Sequence, residues 1–126
     1  MGVVLDASAL LAFLHRESGG ERVPPLLDGA RVSTVNWAEV VQKAVERGVE
    51  TDGMREGFVE LGVVFEPFTA DHAETAALLR ARTRERGLSL ADRACLALAL
   101  DRGLRVVTAD RAWAELGLEV EVELIR

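Results

Sequence analysis

Short apolar runs rich in valine and leucine recur along the chain, and segments with helical spacing separate them. The runs predict five strands: Val3–Leu5, Arg31–Val35, Gly62–Phe65, Arg105–Thr108 and Leu118–Leu124. Strands that alternate with helices favour a mainly parallel sheet covered by helices on both faces. The last run alternates charged and apolar residues, so one of its faces should meet solvent. We therefore expect it at an edge of the sheet.

The intervening segments predict four helices, over Ala7–His15, Trp37–Arg47, Asp71–Arg86 and Leu90–Asp101. In the third helix, three alanines and Leu78 are expected to face the core, with the arginines turned outward. The fourth helix is apolar almost all round, which indicates burial on most of its sides.

Composition and charge restrict the possible functions. The 126 residues are 49% hydrophobic and 29% charged, which is typical of a globular protein, and residues 1–126 are expected to form one domain. With no apolar run long enough for a membrane span and no signal peptide, a cytoplasmic protein is expected. The net charge of −6 would repel nucleic acid unless a local basic patch or bound cations oppose it. The single cysteine, Cys95, excludes an internal disulfide and is expected to be a small buried side chain.

Carboxylates follow three of the predicted strands. Asp6 comes directly after the first strand, Glu39 lies one helical turn past the second, and Asp110 follows the fourth. The carboxyl ends of parallel strands meet at one edge of the sheet, which is where such sheets bind ligands. Asp92, on the first turn of the buried helix, is a fourth candidate.

Helix capping is the alternative explanation for each acid taken alone. Asp6 and Asp110 stand at N-cap positions, and the segments Asn36–Glu39 and Ser89–Asp92 both match the capping box. The segment Asp71–Glu74 has the same pattern and no reason to be functional. Capping does not require acids to converge, whereas strand order predicts that the four candidates do, so together they favour a shared site.

Asp92 distinguishes the two explanations best, because a carboxylate on a buried helix is costly unless it is paired or metal-bound. Its neighbour Arg93 points about 100° away. Clustered acids also repel one another, and a divalent cation such as Mg²⁺ or Mn²⁺ would remove that conflict. One or two such ions can activate water for attack on a phosphodiester without a protein nucleophile. His15 and His72 are expected at the surface or at helix ends, and show no metal-ligand spacing.

Four segments match the motifs of a known family, in its order and at its spacing: Leu5–Leu11, Asn36–Glu39, Leu88–Ala94 and Val107–Trp113. Through them nearly the whole chain resembles the PIN domain, and more closely the VapC toxins of type II toxin–antitoxin pairs. The resemblance implies a PIN-like three-layer α/β/α sandwich and a Mg²⁺-dependent endoribonuclease, with Mn²⁺ as an alternative ion. It leaves open which RNA is cleaved.

The same resemblance assigns roles to the four acids. Asp6 and Asp92 would be direct metal ligands. Glu39 and Asp110 would bind directly, through water, or at a second ion, and the four would form the catalytic quartet. Ser8 and Thr108 match hydroxyl positions near the site of such proteins.

The resemblance also implies partners. RNA would be the substrate, a VapB-type antitoxin would bind the protein, and the protein would form a homodimer, with a tetramer left open. The antitoxin segment would lie in an apolar groove near the first helices. Candidate groove residues are Phe13, Leu14, Val23, Leu26, Leu27, Trp37 and Val41.

Four arginines crowd the end of the third predicted helix and precede the loop before Asp92: Arg80, Arg82, Arg84 and Arg86. They would either guide RNA phosphates toward the metal or form a solvated helix end whose positive charges interact favourably with the helix dipole.

Two other folds place acids at strand ends, and the sequence argues against both. A receiver domain requires a second acid beside the first-strand aspartate and a lysine after the last strand. Here Leu5 and Ala7 flank Asp6, and Lys43 lies in the middle of a predicted helix. A haloacid-dehalogenase phosphatase requires Asp-x-Asp, and Ser8 occupies the third position. A PIN-fold scaffold that binds RNA without cleaving it remains as the alternative function.

Overall fold

The computed structural model describes residues 2–126, whose strands form a single five-stranded sheet. The strands are β1 (Val4–Leu5), β2 (Arg31–Ser33), β3 (Val64–Glu66), β4 (Val106–Thr108) and β5 (Val122–Leu124). Their order across the sheet is β3-β2-β1-β4-β5, and every neighbouring pair is parallel. The predicted parallel sheet and the edge position of the last strand are therefore confirmed.

The helices of the described residues are α1 (Ala7–Leu14), α2 (Thr34–Glu46), α3 (Met54–Glu60), α4 (Ala70–Leu78), α5 (Arg80–Thr83) and α6 (Leu90–Arg102). Short 3₁₀ turns cover Gly20–Arg22, Pro24–Leu26, Arg84–Arg86 and Arg111–Trp113. Among residues 2–126, no helix has both the length and the apolar character that crossing a membrane requires.

The two faces of the sheet carry separate cores because successive strand residues point to opposite sides. Val3 and Leu5 belong to the core that α1 covers, together with Phe58 of α3. Val4 belongs to the other core, with Leu96 of α6. Residues Arg93 to Ala99 of α6 are all buried, as its apolar sequence predicts. Helices on both faces confirm the predicted layered α/β architecture.

The order of the strands reverses at the carboxyl ends of β1 and β4. The chain runs outward from β1 to β2 and β3, then crosses back to β4 on the other side of β1. Such a reversal is the point at which open parallel sheets bind ligands. Leu5 pairs with Val107 in this register, and the backbone N–H of Asp6 donates to the Val107 carbonyl. Asp6 and Thr108 consequently stand side by side.

The strand predicted over Arg31–Val35 is too long, because β2 ends at Ser33. The Ser33 side chain accepts a hydrogen bond from the Val35 N–H and caps α2, so the helix begins at Thr34. The last strand is likewise shorter than predicted, since only Val122–Leu124 pairs with β4.

The long helix predicted over Asp71–Arg86 is interrupted. α4 ends at Leu78, and α5 ends at Thr83. Leu78, predicted to face the core, is 79% exposed, and Leu79 is buried in its place. The Thr83 hydroxyl donates to the Leu79 carbonyl at 2.9 Å, a local bond that bends helices.

His72 lies at a helix end, as predicted, but it is buried rather than at the surface. Its Nε2 is 2.9 Å from Oδ2 of Asp101, near the end of α6. At the other end of the contact between α4 and α6, the Arg93 side chain donates to the carbonyl of Ala76 at 2.8 Å. α4 and α6 therefore run antiparallel.

Glu66 joins β3 to its neighbours at the opposite edge of the sheet. Its buried carboxylate forms ion pairs with Arg31 of β2 and with Arg102 at the end of α6. Burial alone would raise the pKa of Glu66, but hydrogen bonds from Arg102 and Arg31 outweigh it and hold the pKa below its ordinary value.

We expect Glu66→Gln to lower the free energy of unfolding at neutral pH by about 1–3 kcal/mol, because two guanidinium groups lose their counter-charge. A lowered folded-state pKa stabilises the protein above the unfolded-state pKa, and that contribution is lost as the pH falls through the folded-state value. The difference between the variant and the original protein should therefore shrink between neutral pH and an acidic pH below the folded-state pKa of Glu66. Urea unfolding at both pH values measures this.

Glu60→Gln is the matched control, since Glu60 is exposed and makes no ion pair within residues 2–126. An equal loss for Glu66→Gln in acid and at neutral pH would contradict the electrostatic explanation and indicate a packing effect.

Candidate active site

Asp6 is the most deeply buried of the four candidate acids, with 3% of its surface exposed. It is the N-cap of α1, and its Oδ1 accepts a hydrogen bond from the Ala9 N–H at 2.9 Å. Two hydroxyl groups also donate to it. Ser8 Oγ lies 2.8 Å from Oδ1, and Thr108 Oγ1 lies 2.6 Å from Oδ2.

Each of the two hydroxyl groups also accepts a hydrogen bond from a backbone N–H. The Ala109 N–H donates to Ser8 Oγ at 2.9 Å, and the Asp110 N–H donates to Thr108 Oγ1 at 3.0 Å. The two hydroxyl oxygens lie 3.1 Å apart, so they also contact each other. This network joins the start of α1 to the end of β4 and fixes both oxygens of Asp6.

Burial nevertheless raises the pKa of Asp6 to about 6. The donors from Thr108, Ala9 and Ser8 lower the pKa but do not offset the loss of hydration, and the negative charge of Asp92 adds to the increase. The ionised carboxylate is thus held at a cost in free energy that a cation beside it would reduce.

Asp92 lies at the start of α6 and forms the capping box predicted there. Its Oδ2 accepts from the Ser89 N–H at 2.9 Å, and its own N–H donates to Ser89 Oγ at 3.1 Å. Burial raises the pKa of Asp92, and the charge of Asp110 contributes. Arg93 is turned toward α4, as expected for the adjacent helix residue.

Glu39 lies in the second turn of α2, and Asn36 one turn earlier contacts it. Asn36 Nδ2 is 3.4 Å from Glu39 Oε1 and donates to the Ala91 carbonyl of α6 at 3.0 Å. Burial raises the pKa of Glu39, with a further contribution from Asp92. The capping box predicted at Asn36–Glu39 is wrong, because Ser33 caps this helix and Asn36 lies inside it.

Asp110 is the most exposed of the four acids and begins the 3₁₀ turn Arg111–Trp113. Its Oδ1 accepts from the Ala112 N–H at 2.9 Å. Three of the four acids therefore cap helical segments. By contrast, α4 is capped by Thr69, so the matching pattern at Asp71–Glu74 caps nothing.

The four acids lie close enough for their charges to act on one another. The charge of Asp92 raises the pKa of both Asp6 and Glu39, and that of Asp110 raises the pKa of Asp92. Asp92 is thus the common neighbour of the other three. One turn along α6, the buried Cys95 thiol has a pKa raised by burial and by the surrounding acids.

The side chains form an acidic cluster without a neutralising ion pair. Within residues 2–126, no arginine, lysine or histidine forms a salt bridge with any of the four. As arranged, no three His, Cys, Asp or Glu side chains of this part of the chain meet closely enough to hold a metal ion. The donor set itself, four carboxylates with no nitrogen or sulfur, is the kind that Mg²⁺ and Mn²⁺ prefer.

The four candidate RNA-binding arginines are all exposed, but they are not equivalent. Arg82 donates to the Gly117 carbonyl at 2.9 Å and lies 3.5 Å from Glu119. It therefore ties α5 to the segment before β5. The side chains of Arg80, Arg84 and Arg86 make no hydrogen bond or ion pair within the described residues.

Sequence reasoning missed the structural importance of Asn36, which it took for a cap. The signal was present in the periodicity. The buried residues of α2 are Asn36, Val40 and Ala44, spaced four apart, so the asparagine lies on the apolar face of its helix.

A family model described as PIN domain matches residues 3–118. Comparison with curated proteins returned no match.

Solved structures with the same fold include several toxins. A toxin–antitoxin complex from Klebsiella pneumoniae is 21% identical with a TM-score of 0.73, covering 95% of this chain and 99% of that chain. VapC20 from Mycobacterium tuberculosis, described as a sarcin–ricin loop cleaving toxin, is 20% identical with a TM-score of 0.72 and the same coverage. A DNA-bound VapBC from Salmonella typhimurium is 19% identical with a TM-score of 0.73, covering 100% and 99%. At these identities the similarity shows a shared fold, and it confirms the PIN-like α/β/α architecture predicted from the sequence.

We expect Thr108→Val to lower the free energy of unfolding by about 1–3 kcal/mol, although the two side chains have nearly the same shape. Asp6 would lose its shortest hydrogen bond and the Asp110 N–H would lose its acceptor. Urea denaturation measures the effect. The same exchange at Thr75, whose hydroxyl makes no hydrogen bond within residues 2–126, is the control. Equal losses at the two threonines would show that the network does not stabilise the fold.

Proposed function

This chain belongs to the PIN-domain family, and on that premise we propose that it is an endoribonuclease that hydrolyses RNA phosphodiesters with a divalent cation. The observation that carries the proposal is the acidic cluster at the carboxyl ends of β1 and β4. Its four carboxylates form no salt bridge within residues 2–126, and three of them have raised pKa values although Lys43 acts on Glu39 and Arg93 on Asp92. A divalent cation would supply the missing charge.

Asp6 and Asp92 would hold the ion directly, and Glu39 and Asp110 would bind it directly, through water, or at a second ion. The donor chemistry fits this assignment. Asp92 Oδ1 and Asp110 Oδ2 take no part in the capping bonds, so each acid has an oxygen to offer without loss of its cap. When bound, the ion would activate a water and stabilise the leaving oxygen of the phosphodiester.

The protein's own residues would prepare the site. Ser8 and Thr108 direct their protons to Asp6 and hold its carboxylate in one orientation. Because this orientation exists before any ligand arrives, less ordering remains to be done when the ion and the RNA bind.

Arg80, Arg84 and Arg86 would guide the RNA phosphates. They are exposed, they precede the loop that leads to Asp92, and their charge opposes the net charge of −6. Arg82 would have a structural role instead, since its side chain donates a hydrogen bond to the segment before β5.

A VapB-type antitoxin would be the protein partner, and a homodimer the form of the protein itself. The fold neighbours that are toxin–antitoxin complexes support the antitoxin partner. An apolar groove between α1 and α3, lined by Phe13, Leu14, Met54, Phe58 and Leu61, would suit an apolar partner segment. Of the groove residues predicted from the sequence, Val23 and Leu27 are fully buried and cannot contribute.

We expect the purified protein to cut cellular RNA at discrete positions with Mg²⁺ or Mn²⁺, and not with chelator. Asp92→Asn should reduce the rate by at least about 100-fold, because it removes the charge shared by the other acids. Asp71→Asn, the same exchange at an exposed acid of α4, should leave the rate unchanged. Gel analysis of the RNA products measures all of these.

Cleavage that continues with chelator, or in Asp92→Asn, would contradict the metal-dependent mechanism. RNA binding without cleavage under any metal, by folded protein free of antitoxin, would favour the non-catalytic PIN-fold scaffold.

We expect Arg84→Glu to weaken RNA binding and to reduce the slope of log affinity against log salt by about 1 or more, because a phosphate contact is lost. Arg55→Glu, an equal charge reversal on α3, should change the slope less. Fluorescence anisotropy with labelled RNA, in an Asp92→Asn background with chelator, measures binding without cleavage. Equal effects of the two substitutions would show that only net charge matters.

A further inference from the structure

Asn36 is a fully buried polar residue at the contact between the two helices that carry Glu39 and Asp92. Its Nδ2 donates across the helix contact to the carbonyl of Ala91, the residue before Asp92. The same nitrogen is 3.4 Å from Oε1 of Glu39. An amide nitrogen has two hydrogens, so one group reaches both neighbours.

Asn36 is not the residue that would give the contact between α2 and α6 the greatest stability. Its Oδ1 is buried and finds no hydrogen-bond partner within the described residues. It also occupies the apolar face of α2, in line with Val40 and Ala44, where a leucine would add favourable burial. Burying an amide with an unpaired oxygen costs free energy, so its presence here calls for another explanation.

We infer that Asn36 is a positioning residue that sets the distance between the carboxylates of Glu39 and Asp92 and thereby determines the affinity of the acidic cluster for a divalent cation. The inference rests on the proposed metal-dependent function. A cation such as lysine at this position would compete with the metal, and an apolar residue would leave Glu39 unrestrained. A neutral donor restrains Glu39 and adds no charge to the cluster.

The chain contains a matched control on the same helix. Gln42 Nε2 donates to Glu46 Oε2 at 3.1 Å, which is also a bond between an amide and a glutamate. Both residues are exposed, and neither contacts α6 through this bond. Gln42→Leu therefore repeats the chemical change of Asn36→Leu away from the acidic cluster.

The experiment measures Mn²⁺ affinity by calorimetry and the urea midpoint of unfolding for each protein. Asn36→Leu should weaken Mn²⁺ binding by about 10-fold or more, as removal of groups that orient metal ligands does. Its unfolding midpoint without metal should be unchanged or higher, because an unpaired buried oxygen is removed. Gln42→Leu should change neither Mn²⁺ affinity nor stability appreciably. A purely structural role predicts the reverse, a lower midpoint with unchanged affinity.

Glu39→Gln tests whether the effect passes through Glu39. In that background, Asn36→Leu should weaken Mn²⁺ binding less than it does in the original protein, because neighbouring groups that act together are not additive. Asn36→Ala serves the same purpose if the leucine variant does not fold, with the same expected loss of affinity.

Unchanged Mn²⁺ affinity in Asn36→Leu or Asn36→Ala, beside an original protein that binds Mn²⁺, would overturn this inference alone. An original protein that binds no Mn²⁺ would overturn the proposed metal site and this inference together.

Discussion

The dehydration of Asp6 is the constraint around which the rest of the site is arranged. Its strand lies in the middle of a five-stranded sheet, so the residue that follows β1 enters the interior and loses most of its contact with water. A carboxylate there needs donors, and the structure provides one backbone N–H and two hydroxyl groups. Those hydroxyl groups come from the start of α1 and the end of β4. The requirement of one side chain thus determines how two elements from opposite ends of the chain meet.

Capping and function need not compete for the same residues. A carboxylate at a helix start accepts from backbone N–H groups through one oxygen and keeps lone pairs for another ligand. Asp6, Asp92 and Asp110 each lie in the N-cap or first turn of a helical segment, and the positive ends of those segments partly offset the mutual repulsion of the acids. A pattern that matches a cap therefore gives no reason to dismiss a residue as structural. What distinguishes Asp92 from Asp71 is its position beside the other three acids.

The architecture could be predicted from the sequence because apolar strand runs and helix periodicity are local signals, and few arrangements of strands and helices are compatible with them. The sequence also showed which acids follow the strands. The sequence did not show where helices begin and end. These points depend on which of several possible local hydrogen bonds forms, such as the bond from Thr83 to Leu79 and the cap at Ser33. Nor did it show that Asn36 bridges two helices, because that contact joins residues 55 positions apart. The metal-binding roles of the four acids stay predictions.

The bond between Thr108 and Asp6 joins residues 102 positions apart, and this separation has a consequence for the order of events during synthesis. A growing chain presents Asp6 and Glu39 before Asp92, Thr108 and Asp110 have been made. β1 cannot pair with β4 before then, and closing so long a loop is slow compared with forming local helices. A chain that has not been made as far as Asp92 therefore contains two of the four acids, and they are not yet held in the arrangement of the folded site. The site comes into existence only after the chain has been made as far as Asp110.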